Sequence, residues 1–267
     1  KGPWGPRDVE ILAGKPNQVQ PMLAGGLGAT RVLRLDPRAL ARPSYDDRVP
    51  PEMSEDGAGL PSVLAELAVT APDQLASILD ALREIVPTVS KLRFRRTQVT
   101  RQERVHDPGN VTYREVPAWG HELLVDTRSG QQLPLHLISE GTLLVLGLLT
   151  AVLGTSQPNV LLLDDLDRGL HPMAQKNLIA LLRRLLDKFP ALQIVATSHS
   201  PYLLDSFAFD EVRLVTPADD GTALIGKLVD HPEFARWQRL MAPGELWTMV
   251  GEDWLRGAAD REEPHGG

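Results

Sequence analysis

Apolar residues recur along the chain with two different periods. Leu60, Val63, Leu64 and Leu67 fall at helical spacing, and beyond Pro72 the set Leu75, Ile78, Leu79, Leu82, Ile85 and Val86 makes one stripe that stops at Pro87. These two segments predict a helical pair opened by Ser54-Glu55-Asp56-Gly57, and its leucines read as core. Met173 to Phe189 is a third amphipathic pattern, stopped by Pro190, with Arg183, Arg184 and Lys188 near its C-terminus where the helix dipole favours cations. Leu143 to Leu153 is the longest apolar run, broken only by Thr150. Alternating or short apolar runs predict strands at Val9 to Leu12, Arg31 to Asp36, Lys91 to Arg96, Val111 to Val116 and Glu122 to Asp126. The last two are joined through Pro117 to Gly120 and close an antiparallel β-region at the Ser129-Gly130 turn. Val212 to Val215 and Ala223 to Leu228 predict a hairpin across Asp219-Asp220-Gly221. Pro37 to Pro51 carries four prolines and reads as an irregular, mobile loop.

The polar residues that interrupt this pattern fall at element ends. Val160 to Leu163 runs straight into Asp164 and Asp165, as a buried parallel strand does when it delivers carboxylates to its C-terminal edge. That is the Walker B pattern: the first acid can hold Mg²⁺, and the second can orient or deprotonate an attacking water. Ile194 to Thr197 is a second short strand, ending at Ser198-His199-Ser200-Pro201, so it presents an imidazole. Upstream, Ser139-Glu140-Gly141-Thr142 opens the apolar segment; Ser139 reads as an N-cap, and the first-turn N–H groups make an anion site. Between the two strands, Asp167-Arg168-Gly169-Leu170-His171-Pro172 makes a tight turn into a helix, with Gly169 free to take positive φ and Pro172 suited to the first helical position.

The order SEGT, LLLDD, DRGLHP, TSHSP resembles the second half of an ABC-type P-loop ATPase head of the RecF, SMC and OLD-like group. The resemblance implies an α/β fold with a mainly parallel sheet, a helical subdomain and an antiparallel β-region. It implies ATP and Mg²⁺ as ligands, with Asp164 the metal acid, Asp165 the residue that polarises water, and His199 the sensor of the γ-phosphate. Ser139, Glu140, Gly141 and Thr142 become a nucleotide-binding signature facing a second subunit, and Asp167 the acid of a loop crossing that interface. The expected assembly is an ATP-stabilised homodimer serving DNA repair or a bacterial anti-phage complex, with an effector or nuclease subunit as further partner and DNA as a candidate ligand. Two departures stand out. Asp165 replaces the usual Glu, and G-x-x-x-x-G-K-[ST] occurs nowhere in the sequence; Gly25-Gly26-Leu27-Gly28-Ala29-Thr30 lacks the lysine. The expectation is therefore a fragment whose P-loop lies in an N-terminal lobe upstream of Lys1, inactive by itself. The rival expectation is a non-hydrolysing scaffold that senses nucleotide and recruits an effector.

On this reading, residues 1–53 enter from the missing lobe, 54–130 form the helical subdomain and β-region, 131–210 the ATPase core, and 211–267 a C-terminal hairpin and Trp-rich helical cap, with a frayed tail from Gly257. Three of five tryptophans lie in the cap, which predicts either a buried lid or a docking surface. The net charge of −7 and pI of about 5.5 argue against a surface that embraces nucleic acid throughout. A local ribbon at Lys91, Arg93, Arg95, Arg96, Arg101 and Arg104 remains as a phosphate-facing candidate, against the simpler reading of a charged, solvated edge strand. Zero cysteines exclude disulfides and thiolate metal sites and suit a cytoplasmic protein. The longest apolar run falls well short of the roughly 20 residues that span a bilayer, so a soluble protein without membrane contact is expected. No G-x-S-x-G elbow or H-E-x-x-H helix is present, which argues against a serine or zinc hydrolase.

Overall fold

A computed structural model of the protein describes residues 8–13, 30–107, 110–154 and 158–257. In chain order the elements are β1 (Asp8–Ala13), β2 (Thr30–Leu33), α1 (Pro37–Leu40), α2 (Leu60–Thr70), α3 (Pro72–Ile85), β3 (Val89–Asp107), β4 (Asn110–Thr127), β5 (Gln132–Pro134) and α4 (Glu140–Leu153). They continue with β6 (Val160–Leu163), α5 (Pro172–Lys188), β7 (Gln193–Ser198), α6 (Pro201–Leu204), β8 (Val212–Pro217), β9 (Ala223–Lys227), α7 (Phe234–Trp237) and α8 (Pro243–Val250). The fold is mixed α/β, in two compact units: Arg31–Pro158, and Lys1–Thr30 together with Asn159–Gly267.

In the unit Arg31–Pro158, the stripes of α2 and α3 supply Leu60, Leu64, Leu67, Ile78 and Leu82, all fully buried, and α4 adds Leu146 and Leu149. α2 also contacts β4, in which Leu123 and Leu124 are buried. α4 approaches α1 closely at Gly147, where a Cβ would come within 2.7 Å of Leu40. The segment Pro37 to Pro51 is not a loose loop. Asp36 caps α1 by accepting from the N–H groups of Arg38 and Ala39 at 2.7 and 3.1 Å, and Leu40 is fully buried. Ser44 then exchanges two backbone bonds with His121 (2.9 and 2.8 Å), an approach that Gly120 permits because a side chain there would run into the Ser44 carbonyl.

The β-region departs from the expected strand lengths. β3 and β4 are single strands of 19 and 18 residues paired from end to end apart from a register shift at Ser90, and Pro117 sits inside β4 opposite Thr100 instead of ending a strand. β5 joins β4 only at Leu124 to Asp126, so at Pro117 the ribbon has an open edge on which a missing N–H breaks no ladder. The register answers two cations of the basic stripe: Arg93 pairs with Asp126 and Arg95 with Glu122, each at 2.6 Å. The hydrogen bond from Arg93, ahead of the opposing cost of burial, holds the Asp126 carboxyl below its usual range. Arg101 stacks over Tyr45 and Arg96 over Trp119.

In the other unit the strands run β6-β7-β1-β8-β9. β6 and β7 are parallel, β1 inserts antiparallel between β7 and β8, and β9 returns antiparallel on β8 across a turn where Gly221 has φ +86°. α5 packs Ile179, Leu182 and Leu186 around a small apolar cavity shared with Ile194, Ala196 and Phe207. Its Arg183 ties down the start of β8 through Glu211 at 2.7 Å. α8 docks on α6 through Gly244, whose N–H reaches Asp205 at 2.9 Å and where any side chain would strike the Pro201 carbonyl. Trp247 is buried with its indole N–H on Glu252 at 2.5 Å, and Trp254 stacks edge-on to His231, so these two tryptophans pack within the unit. Residues 258–267 and most of the glycine-rich run from Gly25 lie outside the described residues.

Candidate functional site

The site is built at the C-terminal ends of β6 and β7. Their parallel ladder ends at Leu163 opposite Ala196, and the next residue on each strand begins the polar chemistry. Asp164 receives a hydrogen bond from the Thr197 hydroxyl at 2.8 Å, and the Thr197 oxygen accepts the Asp165 N–H at 3.0 Å. The chain turns sharply here. Asp165 has φ +53°, the left-handed region that Asp and Asn tolerate better than other side chains. Leu166 then returns to the core, its N–H on the Thr197 carbonyl at 3.0 Å.

This geometry brings His199 to the acids. Its Nε2 lies 3.8 Å from Asp165 Oδ1, both side chains being nearly half exposed, at 44% and 47%. Asp167 holds the same loop from below, accepting from the Ser198 hydroxyl at 2.5 Å and the His199 N–H at 3.3 Å. Thus Asp167 bonds within its own chain. The turn that follows is closed by Gly169 at φ +67°, and Pro172 is the first residue of α5, where His171 accepts the Met173 N–H through Nδ1 at 3.3 Å.

Beneath the loop lies a polar cluster that the sequence pattern did not single out. Gln175, 5% exposed, donates to the Leu170 carbonyl at 3.1 Å and accepts from the Ser200 hydroxyl at 2.8 Å. Ser198 is fully buried, and its oxygen accepts the Ser200 N–H at 3.0 Å. The available signals were a glutamine placed three residues before Leu178 on the buried stripe of α5, and the hydroxyls of Thr197, Ser198 and Ser200 crowded about one histidine.

The signature residues belong to the other unit. Ser139 caps α4, accepting the Thr142 N–H at 3.4 Å and sharing a 2.7 Å bond with the Thr142 hydroxyl, with Gly141 and Thr142 buried and Glu140 exposed in the first turn. Among the described residues no cluster of three or more His, Cys, Asp or Glu could hold a metal by itself. Asp164 and Asp165 offer the oxygen donors that Mg²⁺ takes when phosphates complete its shell. No described helix is long and apolar enough to cross a membrane.

Comparison with known proteins places the chain in a family. A stretch of 69 residues, 26% of this chain, is 33% identical to the Septu protein PtuA of Bacillus thuringiensis, and covers 17% of that relative's length. The model of one family matches residues 65–205, more than half of the chain, from α2 through the β7 end to α6. The chain belongs to that family, described as AAA domain, putative AbiEii toxin, Type IV TA system.

Proposed function

We propose that this chain carries the Walker B half of an ATPase head that binds and hydrolyses Mg-ATP between two copies, within an anti-phage defence complex. The observation that supports the reading best is the convergence of Asp164, Asp165 and His199 at adjacent parallel strand ends, with the imidazole 3.8 Å from the second acid. Bound Mg²⁺ would draw charge from the phosphate oxygens, and Asp164 would hold it. Asp165 would orient the attacking water, and His199 would donate to the γ-phosphate from the same edge. Asp165 is short for this task, yet the turn that puts it at positive φ also carries it toward His199.

The first turn of α4 would contribute from the opposite copy. Ser139, Glu140, Gly141 and Thr142 place backbone N–H groups at a helix N-terminus, where the dipole favours an anion. Asp167 would act at the same interface through the loop it stabilises. Defence is the favoured setting because the Bacillus relative is a Septu protein; DNA repair is the weaker one, and an effector such as a nuclease is the further partner in either.

The test is turnover and sedimentation of the full-length protein with and without Mg-ATP, beside an Asp165→Ala variant. Wild-type turnover, its loss in the variant, and a dimer seen only with Mg-ATP are expected. A dimer that forms on ATP without any hydrolysis would instead establish the scaffold reading.

A further inference from the structure

We propose that Thr197 is the positioning residue for both acids, the part that sets where Asp164 and Asp165 stand relative to each other and to His199. The inference rests on the ATPase reading above for its kinetic consequence, and on geometry alone for its structural one.

The hydroxyl has one proton and two lone pairs. An ionised carboxylate can only accept, so the proton goes to Asp164 at 2.8 Å, and a lone pair is left to take the Asp165 N–H at 3.0 Å. One oxygen therefore ties the side chain of the first acid and the backbone of the second. It does so where the ladder fails: the β6–β7 pairing stops at Leu163 and Ala196, and the next rung is made by the Thr197 side chain. The Thr197 carbonyl then takes the Leu166 N–H at 3.0 Å. A single residue on β7 thus contacts three consecutive residues after β6.

The tie matters because Asp165 is the one non-glycine residue at positive φ among the described residues. Such a backbone persists only where its surroundings hold it. Its N–H is fixed by Thr197, and its carbonyl accepts from Arg168 N–H at 3.0 Å. Threonine also suits the task through its branched Cβ, which restricts χ1 and aims the hydroxyl. Ser198, the next residue, does the parallel service for Asp167. Two adjacent hydroxyls on β7 thereby fix all three acids of the 164–167 turn, and His199 follows them directly.

Valine has the shape of threonine without the hydroxyl, and serine keeps the hydroxyl without the methyl. In the full-length protein, T197V is expected to lower kcat about tenfold or more, the scale of losing a bond to a charged group and one to a backbone N–H. It should also raise the Mg²⁺ concentration for half-maximal turnover several-fold, whereas T197S should stay within about threefold of wild type. A purely structural role would lower the melting temperature of both variants without moving the Mg²⁺ dependence, and that result overturns the inference. Crystal structures of wild type and T197V give the second readout, with T197A in its place should T197V not fold. Displaced Asp164 and Asp165 carboxylates support the inference. Carboxylates unmoved in the variant refute it whether or not the protein turns over ATP. A wild-type protein without turnover refutes the proposed function instead, and leaves the Thr197 question to the carboxylate positions.

Discussion

Gln175 offers a sharp test of how the site is held, because it is buried, uncharged and makes no contact with the proposed ligands. Its amide joins the 167–170 turn to the loop after β7: Nε2 donates to the Leu170 carbonyl at 3.1 Å, and Oε1 accepts from Ser200 at 2.8 Å. A third approach, to the Asp167 carbonyl at 3.5 Å, is too long to count for much. Gln175→Leu keeps the volume and removes both good bonds. The half-buried Leu170 carbonyl and the buried Ser200 hydroxyl lose theirs, and that hydroxyl keeps only the Leu203 N–H at 3.3 Å. At about 1 to 3 kcal/mol for an unsatisfied buried group, offset by the apolar gain of leucine, the net loss should be about 2 to 3 kcal/mol. Urea unfolding followed by tryptophan fluorescence measures it, since Trp237, Trp247 and Trp254 lie in the same unit as Gln175. Gln175→Glu should cost at least as much at neutral pH, because a carboxylate would face the Leu170 carbonyl. Part of that cost should return on acidification, when protonation restores a donor. A Gln175→Leu protein within about 0.5 kcal/mol of wild type would show that the polar cluster does not hold the loop, since neutral surface changes are of that size.

Three further outcomes follow from other parts of the molecule. Asp164→Asn in the full-length protein should weaken Mg-ATP binding or abolish turnover, and a variant that hydrolyses ATP normally would remove Asp164 from the metal role. Gly244→Ala should destabilise by roughly 2 kcal/mol or more, because the new methyl meets the Pro201 carbonyl and α8 must lift from α6; a melting temperature equal to wild type would contradict that packing. Asp46 supplies a pH dependence. Burial raises its carboxyl pKa, but hydrogen bonds from the Arg48 side chain and the Glu52 and Arg48 N–H groups, with the Arg48 charge, outweigh this and hold it at about 2. A depressed carboxyl stabilises the fold above its unfolded pKa near 4 and loses that contribution as pH falls toward 2. With the screening due to exposed Arg48, it amounts to roughly 1 to 2 kcal/mol. Asp46→Asn should therefore be less stable than wild type at pH 6, with most of the gap, though not all of it, gone by about pH 2.5; a gap constant over that range would refute the assignment.

The elements of the site were legible in the sequence, while the bonds that join them were not. An apolar run ending in two acids, and another ending in Thr197-Ser198-His199, define strands and their polar ends from local pattern alone, because burial on both faces leaves only the termini for polar residues. Nothing local says which side chain of the second strand meets which acid of the first, since Thr197 and Asp164 are 33 positions apart. Gln175 illustrates the same gap. Its place on an apolar stripe marks it as unusual, yet its partners Leu170 and Ser200 become neighbours only when the turn and the β7 loop are packed.

The β-region shows the gap from the other side, where local pattern gave the right chemistry to the wrong length. Pro117 and Gly120 read as a break because proline removes a donor and glycine weakens a strand. At Pro117, however, β4 has no described second neighbour, and Gly120 is the position where the Ser44 backbone must come near, so each residue serves one continuous strand. The basic stripe depends on the same information. Read alone, Arg93 and Arg95 fit either a phosphate-facing ribbon or a charged, solvated edge strand; read with the pairing of Arg93 to Leu124 and Arg95 to Glu122, they face Asp126 and Glu122 across the sheet. A slip of one residue in that register would turn the acids to the opposite face and expose the arginines. The register of β3 on β4 therefore sets which charges meet, and here it answers two of the arginines with carboxylates from its own hairpin.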